Sequence, residues 1–137
     1  MCYDISIPAI YRLHLNQKTM KNLPQFRALI IRYETITIEE IEKANCNSML
    51  LTGLGGNSTC TLCKAAGYVS DKKACKHCVY SLTEKIIPYG VPCNSGSNAK
   101  TYDAMWYANV PKVLLTAYRL RAKHMRSILK KLNIEMP

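Results

Sequence analysis

Residues 60–78 read CTLCKAAGYVSDKKACKHC and contain two cysteine pairs of the form C-x2-C, separated by eleven residues. In each pair, the two intervening residues let both sulfurs turn toward one point. Two such turns brought together provide the four thiolates that tetrahedral zinc requires. The spacing therefore predicts a structural Zn2+ site with four cysteine ligands. These ligands are Cys60, Cys63, Cys75 and Cys78.

Two other side chains near this segment are alternative ligands. Cys93 follows a Gly-Val-Pro sequence, and it either replaces one of the four cysteines or is a buried thiol. His77 also carries a ligating nitrogen, but adjacent residues such as His77 and Cys78 seldom both reach one ion. Four thiolates suit iron as well, so the choice between zinc and iron stays open. Cys2 and Cys46 lack ligand spacing and are expected to be packing residues.

A redox function for either cysteine pair is a competing interpretation. Thioredoxin-type chemistry uses one C-x2-C pair at the start of a helix that follows a strand. Here two pairs lie in one loop-rich segment. A redox protein would also need titratable thiols of low pKa without bound metal. The sequence favours the metal site over this alternative.

The chain as a whole has the size and composition of one globular domain. It has 137 residues and a mass of 15.5 kDa, with 48% hydrophobic and 20% charged residues. We expect a single domain, 1–137, of mainly α class, in which helices flank a small irregular zinc knuckle or ribbon with four cysteine ligands. Its three parts are an N-terminal helical part (1–53), the zinc-binding segment (54–100) and a basic C-terminal helical part (101–137).

Cysteine usage and the N-terminus indicate a cytoplasmic protein. Seven cysteines, an odd number, argue against a fully paired disulfide framework. Asp4 stands where a secretory signal would carry positive charge, and Arg12 interrupts the apolar stretch that follows. The longest uncharged run, between Lys43 and Lys64, contains too many polar side chains for a transmembrane helix. We therefore expect no membrane partner.

The N-terminal part has the periodicity of two helices. Apolar residues recur at helical spacing over 23–34, and a second helix is predicted over 38–51. Thr37 and Glu40 have the spacing of a capping box at the start of that second helix, and a glycine-rich stretch ends it. Residues 3–15 partly alternate apolar and polar positions, which predicts an edge strand.

The C-terminal part is predicted to contain two further helices. The first starts near Thr101. The second is capped by Asn109, has Pro111 in its first turn and runs to about Leu132.

Positive charge is concentrated in that last helix. The chain has 19 Lys and Arg against 9 Asp and Glu, and residues 112–137 contain seven bases and one acid. At about 100° per residue, four basic side chains fall in one narrow sector opposite the apolar face. They are Arg119, Lys123, Arg126 and Lys130. A cationic sector without interspersed acids predicts a surface that binds phosphates or an acidic protein patch, although it also fits a solvated helix face without a partner.

Signals for catalysis are absent from the sequence. The glycines at 53, 55 and 56 lack the Gly-Lys-Ser/Thr of a phosphate loop. The three histidines are scattered, and a zinc ion held by four cysteines has no open position for water. We therefore expect a protein that is not an enzyme.

With these residues in view, the chain over about 54–130 resembles a group of small cysteine-rich proteins of tailed phages and prophages. The group combines two C-x2-C pairs, a following G-x2-C, nearby aromatic residues and a C-terminal helix. Val79 departs from the proline usual after the fourth cysteine. The matching positions are Cys60, Cys63, Cys75, Cys78, Gly90, Cys93, Tyr102 and Trp106. The resemblance implies a zinc-bound fold and a phage context, hence host-cell cytoplasm, but no reaction.

Two functional hypotheses follow. The first is a non-catalytic, zinc-stabilised phage accessory protein that binds nucleic acid or a nucleoprotein through the basic C-terminal helix. The alternative is a phage-encoded inhibitor or adaptor that binds a host protein, such as a defence enzyme. The sequence leaves the oligomeric state open.

Overall fold

All the regular secondary structure in the described part of the chain is helical. The computed structural model describes residues 20–54, 60–67, 77–82, 93 and 96–136, and within these ranges there is no strand. This confirms the mainly α class for the described residues, while the strand predicted over 3–15 lies outside them. The α-helices are α1 (Leu23–Thr35), α2 (Ile38–Lys43), α3 (Ser48–Thr52), α4 (Thr61–Ala65), α5 (Ser97–Tyr107) and α6 (Pro111–Lys131), and a 3-10 helix covers Val79–Leu82.

Helix α1 confirms the prediction over 23–34 to within one residue at its C-terminus. Its buried side chains are Leu23, Phe26, Ile30 and Tyr33, and they recur every three or four residues. This spacing places them on one face of the helix, which is the face that enters the core.

The single helix predicted over 38–51 is wrong, because the chain breaks between α2 and α3. Asn45 and Cys46 have positive φ angles of 50° and 58°. The Cys46 amide donates to the carbonyl of Ile41 at 3.0 Å, which closes the end of α2. Asn47 then caps α3 by accepting from the amide of Leu50. Asparagine tolerates the left-handed conformation. Asn45, Cys46 and Asn47 therefore separate α2 from α3, and helical periodicity alone did not reveal this break.

The start of α2 and the end of α3 are as predicted. Thr37 and Glu40 form a reciprocal capping box, in which each side chain accepts from the other residue's backbone amide. Gly53 ends α3 with a left-handed φ of 75°.

The long helix α6 packs against α1, α2 and α5. Pro111 is its first residue, as predicted, but the predicted cap at Asn109 is wrong. The residue before Pro111 is Val110, and no side chain caps the helix there. Proline at the first position lacks one of the amide hydrogens that a helix start leaves unpaired, so this start needs one partner fewer. Helix α5 begins at Ser97, four residues before the predicted Thr101.

Aromatic contacts attach both α6 and the cysteine-rich segment to α1. Tyr33 of α1 stacks on Tyr118 of α6 with ring centroids 5.3 Å apart. Phe26 meets Tyr80 of the 3-10 helix edge-on at 5.0 Å. The 3-10 helix within the cysteine-rich segment therefore packs on α1. No helix in the described ranges is both long and apolar enough to cross a membrane.

Candidate metal centre and basic surface

Four cysteines line one cavity of about 120 Å3 between α1, α4 and α6. Three of them, Cys60, Cys63 and Cys78, belong to the predicted ligand set, and the fourth is Cys93. Cys75, the remaining predicted ligand, lies outside the described residues. Within the described ranges, no group of three or more His, Cys, Asp or Glu side chains is arranged as it would need to be to hold a metal ion. The zinc site remains a prediction, and what the fold provides is the gathering of the four sulfurs.

The first cysteine pair is placed by the start of α4. Cys60 is the residue that precedes this helix, and Cys63 lies one turn further on. The Cys63 thiol donates to the Cys60 sulfur, backbone amides of Cys63 and Leu62 donate as well, and together they lower the pKa of Cys60 to about 6. The same hydrogen bond raises the pKa of Cys63. The lowered pKa favours the thiolate form of Cys60, which is the form that binds metal or acts as a nucleophile.

Asn22 joins the two cysteine turns, and sequence reasoning missed it. Its side chain is fully buried. Its Nδ2 donates to the carbonyl of Leu62 and to the Sγ of Cys78, both at 3.1 Å. Its Oδ1 accepts from the amide of Val79 at 3.1 Å. One amide from the start of α1 therefore satisfies polar groups in both turns.

Arg121 is the second residue that sequence reasoning missed. It is only 3% exposed and lines the same cavity as the four cysteines. Its Nη1 donates to the Asn98 carbonyl at 2.9 Å and to the Thr101 hydroxyl at 2.8 Å. Its Nη2 donates to the Cys93 carbonyl at 3.1 Å, and its guanidinium carbon lies 4.7 Å from the centre of the Tyr80 ring.

Within the part of the chain that the structure describes, no carboxylate pairs with the charge of Arg121. Among the described residues, the ion pairs are Arg32 with Glu40 and Arg126 with Glu34, and neither includes Arg121. Its buried Nε also has no hydrogen-bond partner there. A buried charge is costly unless it is paired or hydrogen-bonded, and Arg121 is held here by three oxygen acceptors and the Tyr80 ring.

Two of the four predicted partner-binding residues are engaged within the protein. Arg119 donates to the carbonyls of Tyr33 and Ile36 at 2.6 and 2.7 Å, at the C-terminus of α1. Arg126 forms a two-point ion pair with Glu34, at 2.5 and 2.8 Å. These arginines join α6 to α1, because the cationic sector of α6 borders the face that packs on α1.

The other two predicted residues, Lys123 and Lys130, are exposed. Lys123 lines a shallow groove of about 380 Å3 between α5 and α6, and Lys100 lies on the other side of it. Lys100 is also exposed, so two unburied ammonium groups face one groove. The helical periodicity of α6 gave no sign of Lys100, since this residue belongs to a different helix.

Exposed apolar side chains form the other unusual surface feature. Trp106 and Tyr107 at the end of α5 are 54% and 76% exposed. Tyr102 stacks on Trp106 with ring centroids 6.2 Å apart and nearly parallel planes. Further exposed apolar residues are Met49, Leu50, Val110, Val113 and Leu120.

Comparison of the chain with protein-family models, with curated proteins and with solved structures finds no match.

Proposed function

We propose that this chain is a non-catalytic, zinc-stabilised protein that binds nucleic acid, alone or in a nucleoprotein, through lysines of α5 and α6. The observation that carries the proposal is the exposure of Lys123 and Lys130 on α6 together with Lys100 across the groove. The role of a phage accessory protein rests on the resemblance of the cysteine-rich segment alone.

The charge on this surface supports a polyanionic partner. Five lysines of the described C-terminal region are exposed, and Asp103 and Glu135 are its only acids. They are Lys100, Lys112, Lys123, Lys130 and Lys131. Lysines that neutralise phosphates release condensed counterions, and this release drives binding without sequence preference. Trp106 and Tyr107 are exposed enough to stack on unpaired bases.

The proposal distinguishes the lysines of α6 from its arginines. The double change Lys123→Glu and Lys130→Glu should weaken binding to a single-stranded or duplex oligonucleotide in a fluorescence-anisotropy titration. It should also reduce the slope of log K against log salt by about 2, because each phosphate contact contributes close to one unit. The double change Lys21→Glu and Lys43→Glu is the matched control, since both lysines are exposed outside the C-terminal region and the charge change is the same. Equal losses for both variants, or binding insensitive to salt, would contradict the proposal.

Zinc is proposed as the structural cofactor on the strength of the cysteine spacing. Its predicted ligands are Cys60, Cys63, Cys75 and Cys78, of which three lie around one cavity. Zinc with four thiolates would hold the short turns of this segment together and leave no position for a reacting water.

The alternative function, binding of a host protein such as a defence enzyme, is favoured by the exposed apolar surface. Trp106 and Tyr107 are aromatic anchors of the kind that dominate protein interfaces. Capture of one stoichiometric host protein from nuclease-treated lysate, abolished by Trp106→Ala and unaffected by Lys123→Glu, would establish it. Recovery of nucleic acid alone would count against it.

A further inference from the structure

We propose that the groove between α5 and α6 binds single-stranded nucleic acid, with an unpaired base on its apolar floor and phosphates on Lys100 and Lys123. This inference rests on the proposed function, and it names the form of the nucleic acid and the aromatic residue, Tyr107, that receives the next base. A duplex and an acidic protein segment are the competing ligands, and each gives a different outcome in a binding experiment.

The groove has an apolar floor and a cationic rim. Ala104 of α5 and Leu120 of α6 line it, and both are exposed, Leu120 by 50%. Lys100 and Lys123 line it as well and are also exposed. The lining residues that the structure describes include no carboxylate. An apolar surface beside two ammonium groups fits a flat ring flanked by negative charges, which is the chemistry of a nucleotide whose base is unstacked.

The polar side chains of the groove are already engaged within the protein. The imidazole of His124 is hydrogen-bonded to Oδ1 of Asn98 at 2.7 Å, and the Ser127 hydroxyl donates to the His124 carbonyl at 2.6 Å. The Thr101 hydroxyl accepts from Arg121 at 2.8 Å. These internal bonds reduce the capacity of the groove to read base edges, so we expect binding that tolerates many sequences.

Tyr107 extends the groove-lining face of α5. At about 100° per residue, Lys100, Ala104 and Tyr107 fall within a sector of about 60°. Tyr107 lies one turn beyond Ala104 and about 10 Å along the helix from Lys100. Its side chain is 76% exposed. A phenol ring at this position is a platform for a second base, because every base has a π face that stacks on aromatic rings.

Trp106 is adjacent in sequence but lies on a different side of α5. Its ring stacks on Tyr102, and it lines a separate groove with Cys46 and Met49. The aromatic neighbour of the groove between α5 and α6 is therefore Tyr107.

The packing of α6 disfavours a duplex as the ligand. Arg121 bonds this helix to α5 on one side, and Arg126 pairs it with α1 on the other. A recognition helix has to enter the major groove, which is about 12 Å wide, and one helix with its side chains already fills about 10–12 Å. The flanking helices obstruct that approach, whereas a single strand can follow a shallow groove between two helices.

The test is a fluorescence-anisotropy titration of the full chain with three labelled oligonucleotides of equal length. They are a single strand of thymidines, an abasic single strand, which keeps the phosphates and lacks the bases, and a duplex. We expect the thymidine strand to bind at least about 5-fold more tightly than the abasic strand, because base stacking adds to the phosphate contacts. It should also bind more tightly than the duplex.

Single substitutions separate the base contact from the phosphate contact. Tyr107→Ala should weaken binding of the thymidine strand by about 5- to 150-fold and leave binding of the abasic strand unchanged. Leu50→Ala is the matched control, since Leu50 is 74% exposed on α3, and it should change neither. Lys100→Gln should weaken binding of both strands and reduce the slope of log K against log salt by about 0.7, the contribution of one single-strand phosphate.

Three results would overturn the inference and leave the proposed function intact. The first is equal, salt-dependent binding of the thymidine and abasic strands, the second is tighter binding of the duplex, and the third is a loss confined to Trp106→Ala with Tyr107→Ala unchanged. Polyglutamate that competes as well as the thymidine strand at equal charge would overturn the inference in favour of an acidic protein partner. Failure of all three oligonucleotides to bind would overturn the inference and the proposed function together.

Discussion

Asn22 has contacts that depend on its amide group. It is fully buried, and it donates to Leu62 and Cys78 while accepting from Val79. Only a side chain with both a donor and an acceptor at this length can serve both turns. Asn22 is the residue before α1, yet it makes no side-chain capping bond there. Its partners lie 40 and more residues away, so no local pattern could reveal them.

Replacement of this amide should be costly. Asn22→Leu leaves the Val79 amide without its buried partner, at about 1–3 kcal/mol. It also removes the donor to the Cys78 sulfur and to the Leu62 carbonyl, which keeps its bond from the Ala66 amide. We expect urea unfolding of the zinc-saturated chain to show a loss of at least about 2 kcal/mol. Asn109→Ala is the control and should stay within about 0.5 kcal/mol, because Asn109 is exposed and caps no helix. A near-neutral Asn22→Leu would refute the assigned role.

Glu34 makes the α1–α6 contact sensitive to acid. The hydrogen bonds from Arg126 lower the pKa of this carboxyl below its ordinary value. A lowered pKa in the folded state gives stability that is present above the unfolded value and is lost as pH falls through the folded one. We expect Glu34→Gln to remove part of the acid-induced loss of Tm between neutral pH and about pH 3. Parallel Tm curves for the two chains would show that the ion pair contributes nothing measurable.

At the scale of helices, the sequence predicted well where helices form, but it did not predict which neighbour each helix face contacts. Helix α1 has four buried positions on one face, and its predicted range was nearly correct. The basic sector of α6 was also correctly grouped, but periodicity gives no information about which neighbour borders a sector. Arg119 therefore lies at the end of α1, while Lys123 in the same sector remains exposed beside the α5–α6 groove.

This difference predicts opposite effects for two neighbouring bases of α6. Arg119 satisfies the carbonyls of Tyr33 and Ile36 and places positive charge at the negative end of the α1 dipole. Arg119→Ala should destabilise the fold by about 1–3 kcal/mol. Lys123→Ala should leave stability within about 0.5 kcal/mol and weaken oligonucleotide binding instead. Thermal unfolding and anisotropy titration of both variants check this; a stable Arg119→Ala that loses binding would reverse the assignment.

At the scale of the molecule, the sequence did not predict which distant residues line the cavity beside the cysteines. Three of the predicted ligands, Cys60, Cys63 and Cys78, line one cavity, while the zinc site itself stays a prediction. Spacing rules apply within a few residues, whereas Cys93 and Arg121 reach the cavity through the packing of α5 on α6. In a chain with many basic residues, the sequence alone also does not distinguish a buried arginine from an exposed one. These two residues could be recognised only once the helices were assembled.

The most direct test of this account is native mass spectrometry of the chain purified without added metal. We predict one Zn2+ per chain, with removal by a chelator accompanied by loss of the cooperative thermal transition, because metal binding to a four-thiolate site is coupled to folding. A metal-free chain that melts at an unchanged temperature with and without the chelator would contradict it.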